Sequence, residues 1–348
     1  MSNLKDVAKR AGVSVTTVSN FINDIKPIKE ETRVRIIEAI QYTAYRYNTN
    51  AASLKRNDKE LRNIGVISVV DQNVFFSELF FKLERACFDK GFTVTSCFRQ
   101  EEGENLKRYL NLISGKVDGI IVISISNQKI NDVISNLHGT PIVAIDFDFG
   151  NVTTSCGGTN LDINNFQGGY VSAKHIIDKG HKNIVCLTGP AALKTTTDRI
   201  LGFKQALSES NIPHESITFI EGDYTFNCGR KVMYDIHSSG TIPSAIICHN
   251  DLMAIGVQNS ASELGINIPN DLSVIGYDDI EIARMSSPPL TTMRIPLDEI
   301  AYQAIEQLIT KTHSNGVNCN IKVQPSLIVR GSVGTPDFDK GIRKGDNP

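Results

Sequence analysis

Gly12 and Ser14 carry the most specific chemistry in the N-terminal segment. Gly12 has no Cβ and suits the left-handed backbone of a tight inter-helix turn. Ser14 offers a hydroxyl to cap the helix that follows. They separate two short helical patterns. Leu4, Val7, Ala8 and Ala11 share a face before the turn, and Val15, Val18 and Ile22 share one after it. This spacing predicts a helix-turn-helix, whose second helix lies in the major groove of duplex DNA.

The elements around that turn follow from composition. Glu30 and Glu31 sit where a third helix would start, favoured there by the helix dipole. Val34, Ile37, Ala39, Ile40 and Ala44 are expected to pack it on the first two helices. Residues 1–63 hold 12 Lys and Arg against 7 Asp and Glu, whereas the whole chain holds 36 against 38. The head is therefore basic and the body acidic, as suits a DNA-contacting domain carried on a soluble body. The stretch from Asn48 to Arg56 has alanines but little apolar surface. Such a helix is unstable alone in water, which makes it a candidate switch before the charged linker at Asn57–Glu60.

With 348 residues the chain exceeds one compact core, and no apolar run reaches the length of a membrane span. The opening residues lack a secretory pattern. The seven cysteines (Cys87, Cys97, Cys156, Cys186, Cys228, Cys248 and Cys319) contain no C-x-x-C pair. Neither a zinc site nor a disulfide framework is expected, which suits a reducing cytoplasm. From about residue 62 to 333, apolar runs alternate with helical stretches. Strands are predicted at Ile64–Val70, Phe92–Ser96, Gly119–Ile123, Ile142–Ile145, Ile184–Leu187, Ala245–Cys248 and Val274–Tyr277. This is an α/β pattern of βαβ units, grouped before and after Gly157-Gly158 into two lobes with a cleft between them.

The residues resemble the LacI/GalR family of bacterial transcription regulators over nearly the whole chain. In the head, Lys5-Asp6-Val7-Ala8, Ala11-Gly12-Val13-Ser14, Thr17-Val18-Ser19 and Asn23 carry the likeness. In the body it is carried by Val117-Asp118-Gly119-Ile120-Ile121, Gly180-His181, Arg199-Ile200-Leu201-Gly202-Phe203, Asn250-Asp251, Gly276-Tyr277-Asp278-Asp279 and Leu327-Ile328-Val329-Arg330-Gly331-Ser332. The resemblance implies an all-α helix-turn-helix head and a two-lobed periplasmic-binding-protein-like body of doubly wound parallel sheets. The expected division is a head at 1–47, a hinge and linker at 48–61, an N-terminal lobe at 62–157 plus 293–321, a C-terminal lobe at 162–287 plus 325–333, and a tail at 334–348. Crossovers are expected near 158–163, 287–293 and 321–326.

The resemblance also assigns residues. Val15, Thr16 and Asn20 would read base edges; Asn suits adenine and Val15 a thymine methyl. Thr17, Ser19 and the backbone near Asn3 and Leu4 would contact phosphates. Leu54 would wedge into the minor groove with Lys55 beside it. Tyr47 stands where proline usually precedes the hinge asparagine. In the cleft, Asp278, Asn250 and Arg199 offer polar groups to a sugar, Tyr224 and Phe75 offer aromatic faces, and Asn73 and Thr195 complete the set. Asp71, Gln72 and Phe76 lie alongside. Leu193 stands where some relatives with charged or purine ligands carry a basic residue, so a neutral ligand is expected.

The reading is a DNA-binding transcription regulator, a repressor, acting as a homodimer on operator DNA under control of a small-molecule effector. It is expected in the bacterial cytoplasm at the nucleoid, with no cofactor and no membrane partner. The polar tail carries no heptad repeat, so no tetramerising coiled coil is expected. Some relatives take a phosphocarrier protein as co-effector, and these residues leave that open. An enzyme is disfavoured because G-x-S-x-G, P-loop and H-E-x-x-H motifs are missing. A transport binding protein is disfavoured by the DNA head.

Overall fold

Apolar residues three and four apart draw the start of the chain into α1 (Leu4–Ala11), α2 (Val15–Ile22) and α3 (Glu30–Thr43). The computed structural model describes residues 4–22, 28–43, 63–69, 74–99, 112–113, 116–123, 140–146, 158–213, 217–313 and 319–336. Residues 1–59 form one unit and 60–348 another.

In the first unit Gly12 takes φ +65°, and the Val13 N–H donates to the Ala8 carbonyl at 3.1 Å, closing α1. The Ser14 hydroxyl accepts from the Thr17 N–H at 3.1 Å and caps α2. Val7, Ala8, Ala11, Val18, Ile36 and Ala39 make the core. Two residues expected to pack α3 do not: Val34 is 46% exposed and Ile37 39% exposed. The helical period places Ile36, Ala39 and Ile40 on the inner face and turns Val34 and Ile37 away from it. Ala44 and the hinge lie outside the described residues.

In the second unit the alternation of strands and helices builds two sheets. The first contains β1 (Asn63–Val69), β2 (Thr93–Arg99), β3 (Gly119–Ile123), β4 (Ile142–Ile145), β5 (Gly158–Ile163) and a late strand, β11 (Cys319–Val323). Its order is β11-β5-β4-β3-β1-β2, parallel throughout. The second contains β6 (Ile184–Thr188), β7 (Ile217–Glu221), β8 (Ala245–Cys248), β9 (Ser273–Asp278), β10 (Thr291–Arg294) and β12 (Ser326–Ile328), in the order β12-β10-β9-β8-β6-β7. Only the β10–β12 pair in this sheet is antiparallel. Among the described residues the helices are α4 (Val74–Asp89), α5 (Asn165–Asp178), α6 (Lys194–Glu209), α7 (Phe226–Ser238), α8 (Asp251–Glu263), α9 (Glu281–Met285) and α10 (Leu297–His313).

Strands β3, β4, β6, β8 and β9 are buried along their whole length, as their unbroken apolar runs predict. Strands β5, β7, β10, β11 and β12 add to the predicted set. Three of these are sheet edges, where one side needs no apolar cover, and the other two are short and rich in Thr and Asn. The return to the first sheet, expected at 293, comes after Arg294, because Met293 and Arg294 still pair with Tyr277 and Asp278. Strand β11 likewise runs to Val323, past the expected 321. Among the described residues no helix is long and apolar enough to cross a membrane, and no group of three or more His, Cys, Asp or Glu is placed to hold a metal ion.

Candidate functional site

In parallel sheets the carboxyl ends of the strands leave backbone and side chains free to face a ligand. Asp146 follows β4, Tyr224 follows β7, His249 and Asn250 follow β8, and Asp278 ends β9. Hydrogen bonds through Asn165 and Arg199 join the ends of β4 and β8, and one from Asn250 joins the end of β8 to the loop after β7.

Arg199 comes from the first half of α6 and is buried. Its Nε donates to Asn165 Oδ1 at 2.8 Å, its Nη1 donates to the His249 carbonyl, and its guanidinium lies 3.6 Å over the Tyr277 ring. A buried arginine needs such partners, because an unpaired buried charge is costly. His249 accepts the Gly189 N–H at Nδ1 at 3.4 Å. Burial, and then the Arg199 charge, hold its imidazole well below the usual range, so it stays neutral.

Asn250 caps α8: its Oδ1 accepts the Met253 N–H at 3.0 Å, and its Nδ2 donates to the Tyr224 carbonyl at 2.8 Å. The cap thus fixes the backbone of Tyr224, which sits at φ +65°. The Tyr224 hydroxyl shares a hydrogen bond with the Thr196 hydroxyl at 2.9 Å. Thr195, the expected partner in this helix, is half-buried beside it, while Thr196 is fully buried.

Asp278 and Asp279 both take left-handed backbones, at φ +111° and +59°. That conformation costs of order 1–3 kcal/mol per non-glycine residue and persists where surrounding structure enforces it. Asp251 supplies the enforcement: its carboxylate accepts from the Ile280 N–H at 2.9 Å and from the Thr292 hydroxyl at 2.6 Å. Burial and the neighbouring Asp278 carboxylate push Asp251 well above the usual carboxylate range. Asp279 meets Arg294 at 2.6 Å and Arg330 at 2.5 Å, tying the loop to the end of β10 and to the segment after β12. Adjacent aspartates therefore do different work. One ends a strand at the cleft and the other anchors its loop.

Asn250 is bonded to the Tyr224 carbonyl and Arg199 to the carbonyl of the adjacent His249, while Asp278 follows Tyr277, over whose ring Arg199 lies. Phe75, expected as an aromatic face, is only 7% exposed; it sits in the body core with Phe76 edge-on at 5.4 Å. Asn73, Leu54, Lys55, Asp71 and Gln72 lie outside the described residues. In the head, Val15 is 39% exposed and Thr16 and Thr17 stand at the start of α2, with the Thr17 hydroxyl 2.8 Å from that of Ser14. Sequence reasoning missed Asp146, Asn165, Thr196 and Asp251. Asp146 was within reach, since it follows an apolar strand as Asp278 follows its own.

Residues 3–48 match the model of bacterial regulatory proteins of the lacI family, and residues 173–333 match that of the periplasmic binding protein-like domain. The chain is 34% identical over 336 residues to the HTH-type transcriptional repressor PurR of Photorhabdus laumondii, covering 96% of this chain and 97% of that one. It is 33% identical to the PurR repressor of Histophilus somni, covering 96% and 100%. The Lac repressor dimer bound to operator and the anti-inducer ONPF superposes with a TM-score of 0.78 at 25% identity, covering 96% of this chain and 99% of that one. A regulator from Enterococcus faecium with bound ribose has the same fold, with a TM-score of 0.70 at 23% identity over 79% of this chain and 99% of that one. With a helix-turn-helix head and a two-lobed effector-binding body, the chain belongs to the lacI family of bacterial regulatory proteins and is a DNA-binding transcriptional repressor of that type.

Proposed function

We propose that this repressor is controlled by a neutral, polyhydroxylated effector, a sugar or sugar derivative, held between the lobes of its body. The observation that carries this reading is the state of the cations at the cleft. Arg199 is engaged by Asn165, His249 and Tyr277, and Lys194 pairs with Asp198 at 2.7 Å. Neither cation is left waiting for an anionic ligand, and Leu193 adds no charge. The Asp278 carboxylate is an acceptor suited to sugar hydroxyls and the Arg199 guanidinium a donor to them, with the Tyr224 ring, Thr195 and Asn73 completing the site. Asn250 acts by fixing Tyr224, and Phe75 backs the site from the core.

Two copies bind a palindromic operator, one head to each half-site. Val15, Thr16 and Asn20 read base edges, Thr17 and Ser19 meet phosphates, and Leu54 and Lys55 enter the minor groove. The expected lobe boundaries, with the lobe changes moved to those of the strands, give the effector its lever on the heads. The chain works by binding and not by turnover, in the bacterial cytoplasm.

The test is thermal unfolding of the full chain with ribose, cellobiose, a sugar phosphate and a nucleobase in turn. A ligand at 100 times its Kd stabilises by about 2.7 kcal/mol. A hit with a neutral sugar, which also changes binding to an operator duplex selected by the protein from a random pool, supports the reading. A hit with only the phosphate or the nucleobase overturns it.

A further inference from the structure

Asn165 opens α5, two residues past the end of β5, where the chain passes from the first sheet to the second lobe. It is 3% exposed. Its Nδ2 donates to Asp146 Oδ1 at 3.1 Å and to the Ile163 carbonyl at 3.2 Å. Its Oδ1 accepts from Arg199 Nε at 2.8 Å and from the Tyr277 hydroxyl at 3.5 Å. A carboxamide has two donor hydrogens and two acceptor lone pairs, and here every one is used. Such a side chain has a single orientation, because a flip would set its NH2 against the Arg199 and Tyr277 donors.

The partners lie in both lobes. Asp146 follows β4 of the first sheet, Ile163 ends β5 beside it, Arg199 belongs to α6 and Tyr277 to β9 of the second sheet. We propose that Asn165 is the positioning residue that orients Arg199 in the effector site and couples it to Asp146 of the opposite lobe, so that a change at Arg199 is felt across the crossover. This rests on the reading of Arg199 as an effector-site residue. The coupling itself does not need the ligand to be known, because a proton on Asp146 reports it.

Asp146 is faced by Arg199 and Lys194 of α6, by Asp162 of β5, and by Tyr277 of β9. Burial and then Asp162 push its carboxyl up while Arg199, the Asn165 hydrogen bond and Lys194 pull it down, and the net is a carboxyl raised to about 6. A carboxyl raised above its ordinary 3.8 stabilises the fold most at low pH, and that contribution is lost as pH rises through about 6. Asn165→Ala removes a donor to the carboxylate, so the loss should move to higher pH. A purely structural role would lower stability at all pH values without moving the step.

The experiment measures Tm of the full chain from pH 4 to 8 for wild type, Asp146→Asn, Asn165→Ala and the isosteric Asn165→Asp. The Asp146-dependent step is the difference between each profile and that of the matching variant also carrying Asp146→Asn. The expected result is a wild-type step between pH 4 and 6 that shifts upward in both Asn165 variants. An unmoved step overturns the proposal. If neither Asn165 variant folds, Arg199→Lys decides, measured with and without Asp146→Asn: an Asp146-dependent step that moves supports the link, and an unmoved step overturns it. Since no ligand enters, a failure here is distinct from a failure of the sugar reading.

Discussion

The Arg199 guanidinium stacks 3.6 Å over the ring of Tyr277 while its nitrogens reach Asn165 and the His249 carbonyl. A lysine keeps the charge but loses the planar fork and the stack. Arg199→Lys is therefore expected to lose roughly 1.5–3 kcal/mol, the worth of a hydrogen bond to a charged group. Urea unfolding at pH 7 checks this. The same variant should lose the stabilisation given by any sugar that stabilises the wild type.

Helices α5 and α6 touch backbone to backbone at Gly202. A Cβ there would stand 1.9 Å from the Phe166 carbonyl oxygen and 2.7 Å from the Tyr170 nitrogen. Backbone cannot swing aside as a flexible side chain would, so Gly202→Ala forces the helices apart. Overpacking of this kind costs typically ~1–3 kcal/mol. Equilibrium denaturation should show that loss. The altered angle between α5, which carries Asn165, and α6, which carries Arg199, should also weaken effector binding.

How far the site was legible depends on what fixes each residue. Asp278 was legible because it ends an apolar strand, where a ligand role is favoured. Asn250 was legible as a polar residue at a strand end but not as the cap that holds Tyr224, because capping depends on where α8 begins. Thr196 was not legible: Lys194-Thr195-Thr196-Thr197 offers three equal hydroxyls, and only the phase of α6 selects the buried one. Asn165 was hidden more deeply, since its partners at 146, 199 and 277 come from three elements joined only by the fold. The buried strands were read from their apolar runs, whereas three of the four edge strands, β7, β11 and β12, lack the pattern that would reveal them.

In the head, the Ser14 hydroxyl accepts the Thr17 N–H and meets the Thr17 hydroxyl. Ser14→Ala leaves an N–H at the start of α2 without its cap, at about 1 kcal/mol. Faster hydrogen exchange of the amides at 15–22 in the full chain would register it. Operator affinity should fall by a similar free energy, about fivefold, because the helix must be ordered on DNA. The salt slope should stay unchanged, since Ser14→Ala removes no charge.

Asp251 holds the Asp278 loop through two bonds, and removing it tests whether that loop is enforced. Asp251→Ala leaves the Ile280 N–H and the Thr292 hydroxyl without an acceptor, at roughly 1–3 kcal/mol for each buried group. Asp251→Asn keeps the shape and one acceptor oxygen. Because the folded-state carboxyl lies well above its ordinary value, its contribution is present at low pH and fades as pH rises. The asparagine does not titrate. The stability gap between wild type and Asp251→Asn should therefore narrow from pH 5 to pH 8, as read by Tm at each pH, while Asp251→Ala stays less stable than Asp251→Asn throughout. A gap that stays constant over that range would mean that Asp251 is held as a carboxylate by its two donors, and that burial does not dominate at this position.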